Sequence, residues 1–359
     1  MQKEQITDKE AICLVIMFVI GSSLILGVGG SAGNDAWIAV IAGIIMTIPM
    51  LLIYSRILSL FQGKDLYDII YITLGKTIGK IVSILYICYA FHLGALVLRN
   101  FGEFMNIVAL PETPMIVILL CLGLIMIIAV SLGIEVMGRT TTYFLPPLFF
   151  ILVVVLVLAL PQFNLDYIKP VLGKGLTPVL KGGFKAFSFP FAETVLFAGV
   201  LSSLKTKKSP FKVYFWGIFI SALIIFITTI RNISILGNML SSFYFPSYAA
   251  VSMISVGDFV ERIEATVGIV FLFGVFIKSS VCLLAASKGI GKMFKLKDYR
   301  SIVIQTGLLM VYLSYIIYDD SMQMQYWAFK VYPYYAFPFQ VILPVFIWIS
   351  AEIKVKKNK

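Results

Sequence analysis

Ser188-Phe189-Pro190-Phe191-Ala192-Glu193 lies in the middle of an apolar run spanning roughly 184–204. No ordinary helix passes through it unchanged. Pro190 has no backbone N–H to donate and its ring clashes with the preceding turn. A second apolar run, roughly 9–31, carries Gly21-Ser22-Ser23 and then Gly27-Val28-Gly29-Gly30. Gly21 weakens a helix, and the two serines can satisfy freed backbone groups inside a membrane. Each interruption alone is common in membrane helices. Their matched positions, one opening each half of the chain, carry more information.

The runs around these breaks establish the solvent. The chain has 359 residues, 60% of them hydrophobic and only 13% charged, with a mean hydropathy of +0.97. A soluble domain carries about 25% charged residues to cover its surface. A span needs about 20 apolar residues, and ten can be read. They are roughly 9–31, 35–60, 77–108, 113–133, 138–160, 184–204, 211–236, 263–288, 300–318 and 327–351. The third exceeds a simple crossing and is expected to tilt or project. Gly63 to Lys80 reads as a short amphipathic helix on the membrane surface.

Net charge is +11, which in a soluble protein would suggest nucleic acid. Here the charges fall in short loops between apolar spans, so no nucleic-acid partner is expected. With the N-terminus placed in the cytoplasm, 20 of the 29 Lys and Arg fall on the inner side, Lys3, Arg300 and Lys359 among them. Lys169, Lys185, Arg231, Arg262 and Lys330 are among those on or near the outer side. The bias favours both termini inside, in agreement with an even number of spans. Met1 to Glu10 does not read as a cleaved signal peptide.

Ten spans divide into five and five, and an odd number per half gives the halves opposite topology. Inverted repeats of this kind build transporters whose sites lie at the midplane between discontinuous helices. The expected fold is therefore an all-α integral membrane protein, a five-plus-five inverted repeat with broken helices 1 and 6. It forms one permease-like domain over 1–359, with repeats near 9–160 and 184–351.

Three further stretches, read with the two breaks, carry a family resemblance. They are Ala32-Gly33-Asn34-Asp35-Ala36-Trp37-Ile38-Ala39, Gly133-Ile134-Glu135-Val136-Met137-Gly138-Arg139, and Pro170-Val171-Leu172 leading to Phe189-Pro190-Phe191-Ala192-Glu193. Along essentially the whole chain the sequence resembles the B subunits of nutrient germinant receptors, the spore permeases of endospore-forming bacteria. It departs at Asn34, where the family pattern has Gln, and at Ala192, where it has Gly; both changes put the subfamily, and so the germinant, in question. That family is similar to the amino acid–polyamine–cation transporters. The resemblance implies the spore's inner membrane as the location. It also implies two partners, a larger membrane-spanning A subunit and a lipoprotein C subunit.

An amino-acid germinant carries a carboxylate and an ammonium. If helix 1 breaks at Gly21, Ser22 and Ser23, free N–H groups there suit a carboxylate. The half-helix ending near Ser188 then offers carbonyls to the ammonium, with Phe187, Phe189, Pro190 and Phe191 shaping an apolar wall. The bland alternative is helix packing. Glu193 and Lys278 are charges near the middle of spans 6 and 8. A charge at the bilayer centre costs about 2.5–3.5 kcal/mol, so each should face the interior and find a partner. They are expected to neutralise each other or a ligand, or to form a purely structural pair. In similar transporters a buried lysine can replace a bound sodium, and Lys278 is a candidate for that part. Arg99 and Glu103 share a helix face at i, i+4, as do Glu135 and Arg139. Either pair is local, or Arg99 lines an outer vestibule. His92 reads more readily as a satisfied core histidine than as a proton-coupling group. Trp37, Trp216, Trp327 and many of the tyrosines fit interfacial belts. Asn238 to Val260 reads as an outer loop with a short helix over the cavity.

No cofactor or metal is expected. Cys13, Cys88, Cys121 and Cys282 lie in apolar runs without ligand spacing and read as small buried hydrophobes. There is no Gly-rich phosphate loop and no Ser–His–Asp set, which makes an enzyme the weakest reading. The leading function is a receptor subunit that binds a small nutrient, an amino acid by preference. A proton-coupled amino-acid transporter and a structural anchor with a vestigial pocket stay open.

Overall fold

The computed structural model describes residues 4–254 and 263–357, and among them every regular element is helical. Arg262, Lys3 and Lys359 fall outside the described residues, as does the end of the Asn238–Val260 segment. The first helix, α1 (Asp8–Leu26), begins with a capping box, Thr7 accepting from Glu10 N–H while the Glu10 carboxylate accepts from Thr7 N–H. Its 19 residues rise about 28 Å, the depth of the hydrocarbon layer. α2 (Ala36–Leu60), α3 (Leu66–Phe104), α4 (Met115–Leu132) and α5 (Ile134–Ala159) complete the first set. The second begins with the short α6 (Leu176–Ala186) and α7 (Phe197–Val200), separated by the irregular segment 187–196. Then come α8 (Ser209–Leu236), the small α9 (Pro246–Ser252), α10 (Glu264–Met293) and α11 (Val303–Ile316). The last crossing is α12 (Ser321–Tyr326), α13 (Tyr332–Phe337) and α14 (Leu343–Lys357), joined by two π-helical turns.

Among the described residues, eight helical stretches are long and apolar enough to cross a membrane. The remaining two crossings are the broken α6–α7 unit and α11, which a 3₁₀ turn (Tyr299–Ile302) extends at its start. The packing follows a pseudo-two-fold. α1 packs on α8, and its counterpart α6 packs on α2. α3 packs on α10 and α4 on α11, each helix meeting its own counterpart. α4 on α10 is mirrored by α3 on α11. This is the inverted repeat. α1 is buried along nearly its whole length, whereas α5 presents Phe149, Phe150 and Val157 outward, as lipid-facing helices must.

Three features differ from the sequence reading. The short helix expected within Gly63 to Lys80 is present, from Leu66 up to a break at Gly75 (φ 76°, ψ −174°) beyond which α3 continues, but its Leu66, Tyr67, Ile69 and Ile70 are buried in the protein rather than turned to lipid. An apolar face that packs inward looks the same in sequence as one that dips into lipid. Cys88 and Cys121 are exposed on the apolar exterior; only Cys13 and Cys282 are buried. Finally, helix 1 passes through Gly21-Ser22-Ser23 unbroken and ends at Gly27 (φ 72°). Of the two candidate interruptions, only the second interrupts the helix. Gly21 serves another purpose, since a Cβ there would stand 2.7 Å from the Gly274 carbonyl carbon and oxygen. The residue lets α1 and α10 cross at backbone contact.

The motif stretches meet across the fold. Asp35 accepts a hydrogen bond from Leu172 N–H at 2.8 Å, and Asn34 donates to the Lys169 carbonyl at 3.3 Å. They tie the start of α2 to the segment leading into α6.

Candidate functional site

The interruption of helix 6 centres on Phe189, whose φ −133° and ψ 115° are those of extended chain. Pro190 follows, then a 3₁₀ turn that carries Glu193. Glu193 is fully buried, and so is Lys278 on α10. Lys278 Nζ lies 2.5 Å from Glu193 Oε2, an ion pair by distance but without the angles of a hydrogen bond. The ammonium also stands over two rings, Phe189 at 4.7 Å and Phe18 at 5.2 Å. Ring faces supply a second source of negative potential to a cation with no water around it.

The other carboxylate oxygen is met by a chain of buried polar groups. Tyr332 donates to Glu193 Oε1 at 2.5 Å, and its oxygen lies 3.1 Å from the Tyr89 hydroxyl. Gln340 donates to Tyr89 at 3.0 Å and to the Ser188 carbonyl at 2.8 Å. Tyr54 donates to the Gln340 carbonyl at 2.5 Å. Three crossings besides α10, namely α2, α3 and the last one, thereby converge on the broken helix. Replacing Tyr332 with phenylalanine is expected to lower stability by about 1.5–3 kcal/mol, the usual worth of a hydrogen bond to a charged group. Thermal unfolding of the purified protein measures it; a loss under about 0.5 kcal/mol would mean the bond contributes little.

This network corrects one expectation. The Ser188 carbonyl is already engaged by Gln340 and is not free for an ammonium. Nor does α1 present free N–H groups at Gly21, Ser22 and Ser23, because the helix continues there and Ser23 Oγ bonds back to the Val19 carbonyl. What the two segments do present are hydroxyls. Ser22 Oγ and Ser188 Oγ are buried without a hydrogen-bond partner, on elements that pack together. Buried polar groups are rarely left so. Gln340 Oε1 is a third.

A cavity of about 40 Å³ opens beside Glu193, with Leu26, Val97, Phe189, Trp327 and Tyr332 in its wall. Phe187 and Phe191 are buried outside it. A larger cavity of about 250 Å³ lies at the C-terminal end of α1, lined by Gly27, Ser31, Lys185, Asn232 and Lys330. Leu26 and Phe329 belong to both walls. The short helix expected over the cavity is α9, whose Pro246 forms part of this larger cavity's wall.

Arg99 belongs elsewhere. It pairs with Glu103 at 2.9 Å and donates to the carbonyls of Ser314 and Tyr315, so it clamps α3 to α11 and lines neither cavity. Glu135 and Arg139 form an exposed ion pair. His92 is satisfied by the Tyr335 hydroxyl at 3.0 Å. Trp327, expected in an interfacial belt, instead packs on His92 and Tyr335 and reaches the inner cavity. Tyr332, Tyr89, Tyr54 and Gln340 were not singled out by the sequence. Gln340 carried a usable signal, as an uncharged polar residue deep in an apolar span.

Comparison with known proteins follows this geometry. The family model described as "Spore germination protein" matches residues 5–322. Spore germination protein KB of Bacillus subtilis (strain 168) is 31% identical over 364 residues, covering 100% of this chain and 98% of the relative. Spore germination protein A2 of the same organism is 25% identical, over 89% of this chain and 87% of its own. Among solved structures, MhsT in complex with L-phenylalanine superposes with a TM-score of 0.67 at 13% identity, over 99% of this chain and 98% of that one. Mhp1, a nucleobase-cation-symport-1 family transporter in a closed conformation with bromovinylhydantoin bound, gives 0.62 at 12%, over 98% and 90%. The two structures share the fold.

Proposed function

The chain belongs to the spore germination protein family, and from that premise we propose that it is the nutrient-sensing subunit of a germinant receptor. It sits in the inner membrane of the spore with both termini in the cytoplasm. There it works with a membrane-spanning A subunit and a lipoprotein C subunit. The whole of 1–359 acts as one permease-like domain, its repeats falling near 9–160 and 184–351. The ligand is a small nutrient, an amino acid by preference, taken up between α1 and the broken helix 6.

The observation that carries this reading is the cavity beside the Glu193–Lys278 pair. Its position matches what transporter-like folds use, the midplane at an interrupted helix. Its size supports a receptor. About 40 Å³ holds roughly one water, whereas sites for small molecules take about 300 Å³ or more. A nutrient must therefore displace Leu26, Phe189 or Phe329 to enter, so the bound and free proteins differ in shape. That difference is what a partner subunit reads, since only a ligand with unequal affinity for two states shifts them. On entry, the unsatisfied hydroxyls of Ser22 and Ser188 find partners, with Glu193 and Lys278 answering the charges of a zwitterion. Gly21, Ser23, Phe187, Pro190 and Phe191 shape the backbone around it.

Spores lacking only this protein test the proposal against a panel of single amino acids, sugars and nucleosides. The expected outcome is a lost response to one nutrient class while growing cells take up that nutrient normally. Normal germination with lost uptake would instead make the protein a proton-coupled amino-acid transporter, a reading that the shared transporter fold favours.

A further inference from the structure

The face opposite the nutrient cavity holds a site of different chemistry. A cavity of about 520 Å³ lies where the N-terminal segment, the α2–α3 loop and the end of α10 come together. Its wall carries five cations, Lys288, Lys292, Lys295, Lys297 and Arg300, against three carboxylates, Glu4, Asp65 and Asp298.

The ion pairs do not consume all of that charge. Lys292 is held by Asp68 at 2.6 Å and Asp65 at 3.9 Å. Arg300 is held by Glu4 and by Asp298. Lys288 has no carboxylate; it donates to the Val200 carbonyl at 3.2 Å and stands 5.7 Å over the Tyr299 ring. Lys295 and Lys297 form no ion pair among the described residues. Three lysines of one cavity wall therefore form no ion pair among the described residues. Ser203 belongs to the same wall; its Oγ is covered by protein and has no hydrogen-bond partner, so a turn of this side chain would bring an unused hydroxyl to an occupant.

Several ammoniums around one cavity, with an unused hydroxyl in its wall, are the complement of a phosphate, a compact anion with oxygens to spare. The surroundings favour one that comes with acyl chains. α10 ends at Met293, so the cavity sits at the end of a membrane span. Beside it Phe294 is 66% exposed and Leu296 40% exposed, apolar surface suited to lipid. Basic pockets between spanning helices are known homes for anionic headgroups. We infer that this cavity is a binding site for a phosphate-bearing anion, occupied in the membrane by the headgroup of an anionic phospholipid. The site bridges the N-terminal segment, α3 and α10, so its occupant also braces the helix that carries Lys278.

The test uses the purified full chain in a neutral detergent, with its unfolding midpoint followed during titration. The additions are dioleoyl-phosphatidylglycerol, dioleoyl-phosphatidylcholine and inorganic phosphate, each separately. Phosphatidylglycerol should raise the midpoint and phosphatidylcholine should not. In K295Q/K297Q, whose side chains are exposed and outside any ion pair, about tenfold more phosphatidylglycerol should be needed for the same rise. Ser203→Ala should weaken it in the same direction. K354Q/K356Q removes equal charge from the far end of α14 and should leave the titration unchanged. A matching rise with inorganic phosphate supports the phosphate site with a free anion as occupant. No rise with either phosphate source would overturn the inference, and so would a K295Q/K297Q titration identical to the unaltered protein.

Discussion

Lys278→Met is expected to destabilise the protein by about 3–5 kcal/mol, the usual cost of leaving one member of a buried ion pair alone. Glu193 is fully buried, and after the change only the Tyr332 hydroxyl meets its carboxylate. The methionine itself suits the site, because the ammonium it replaces lies between the Phe18 and Phe189 rings. The loss therefore reports the stranded charge rather than a packing defect. Glu193→Gln should cost a similar amount by stranding the ammonium. Combining the two removes both charges, and the double variant should be more stable than the sum of the single losses implies. Unfolding midpoints and membrane yield measure all three. Strict additivity would mean that the pair, though 2.5 Å apart, does not act as one.

Gly21→Ala separates two accounts of the first helix. Were Gly21 a hinge, alanine would stiffen the helix and raise stability by about 1 kcal/mol. The structure predicts the opposite. A Cβ at Gly21 meets the Gly274 backbone at 2.7 Å, and backbone cannot swing aside as a side chain can. The helices must separate, with a loss near the upper end of the overpacking range, about 3 kcal/mol. Loss of assembled protein in the membrane and a lowered unfolding midpoint are the expected readings. A stabilised variant would return the break to Gly21.

These two sites show what a sequence of this kind does and does not display. Glu193 and Lys278 stood out because charges in apolar runs are rare and costly, so they were singled out, with pairing as one of the readings. The crossings stood out as well, all ten as apolar runs, although α11 and the broken helix 6 lack a regular helix long enough to span alone. Gly21 was equally visible, but its meaning lies in Gly274, a residue far along the chain whose approach no local pattern announces. The tyrosine network was hidden more deeply. Tyr89, Tyr332 and Tyr54 are three of 18 tyrosines, and their bonds cross as many as 286 residues of sequence. Interfacial belts explained tyrosines well enough that none was set apart. Asp35 illustrates the middle ground. The stretch around it drew notice, and the fold supplied the reason in its bond to Leu172 N–H.

The central claim, that the cavity beside Glu193 receives the nutrient, is tested most directly by narrowing it from a position that tolerates bulk. Ala328 lines that cavity and is only partly buried. Spores carrying Ala328→Trp, with receptor levels matched to the unaltered strain, would be followed for germination across nutrient concentration. The half-saturating concentration should rise tenfold or more, about 1.4 kcal/mol of lost binding, with the response to other nutrients unchanged. An unaltered dose–response at equal protein level would place the nutrient elsewhere and contradict the account.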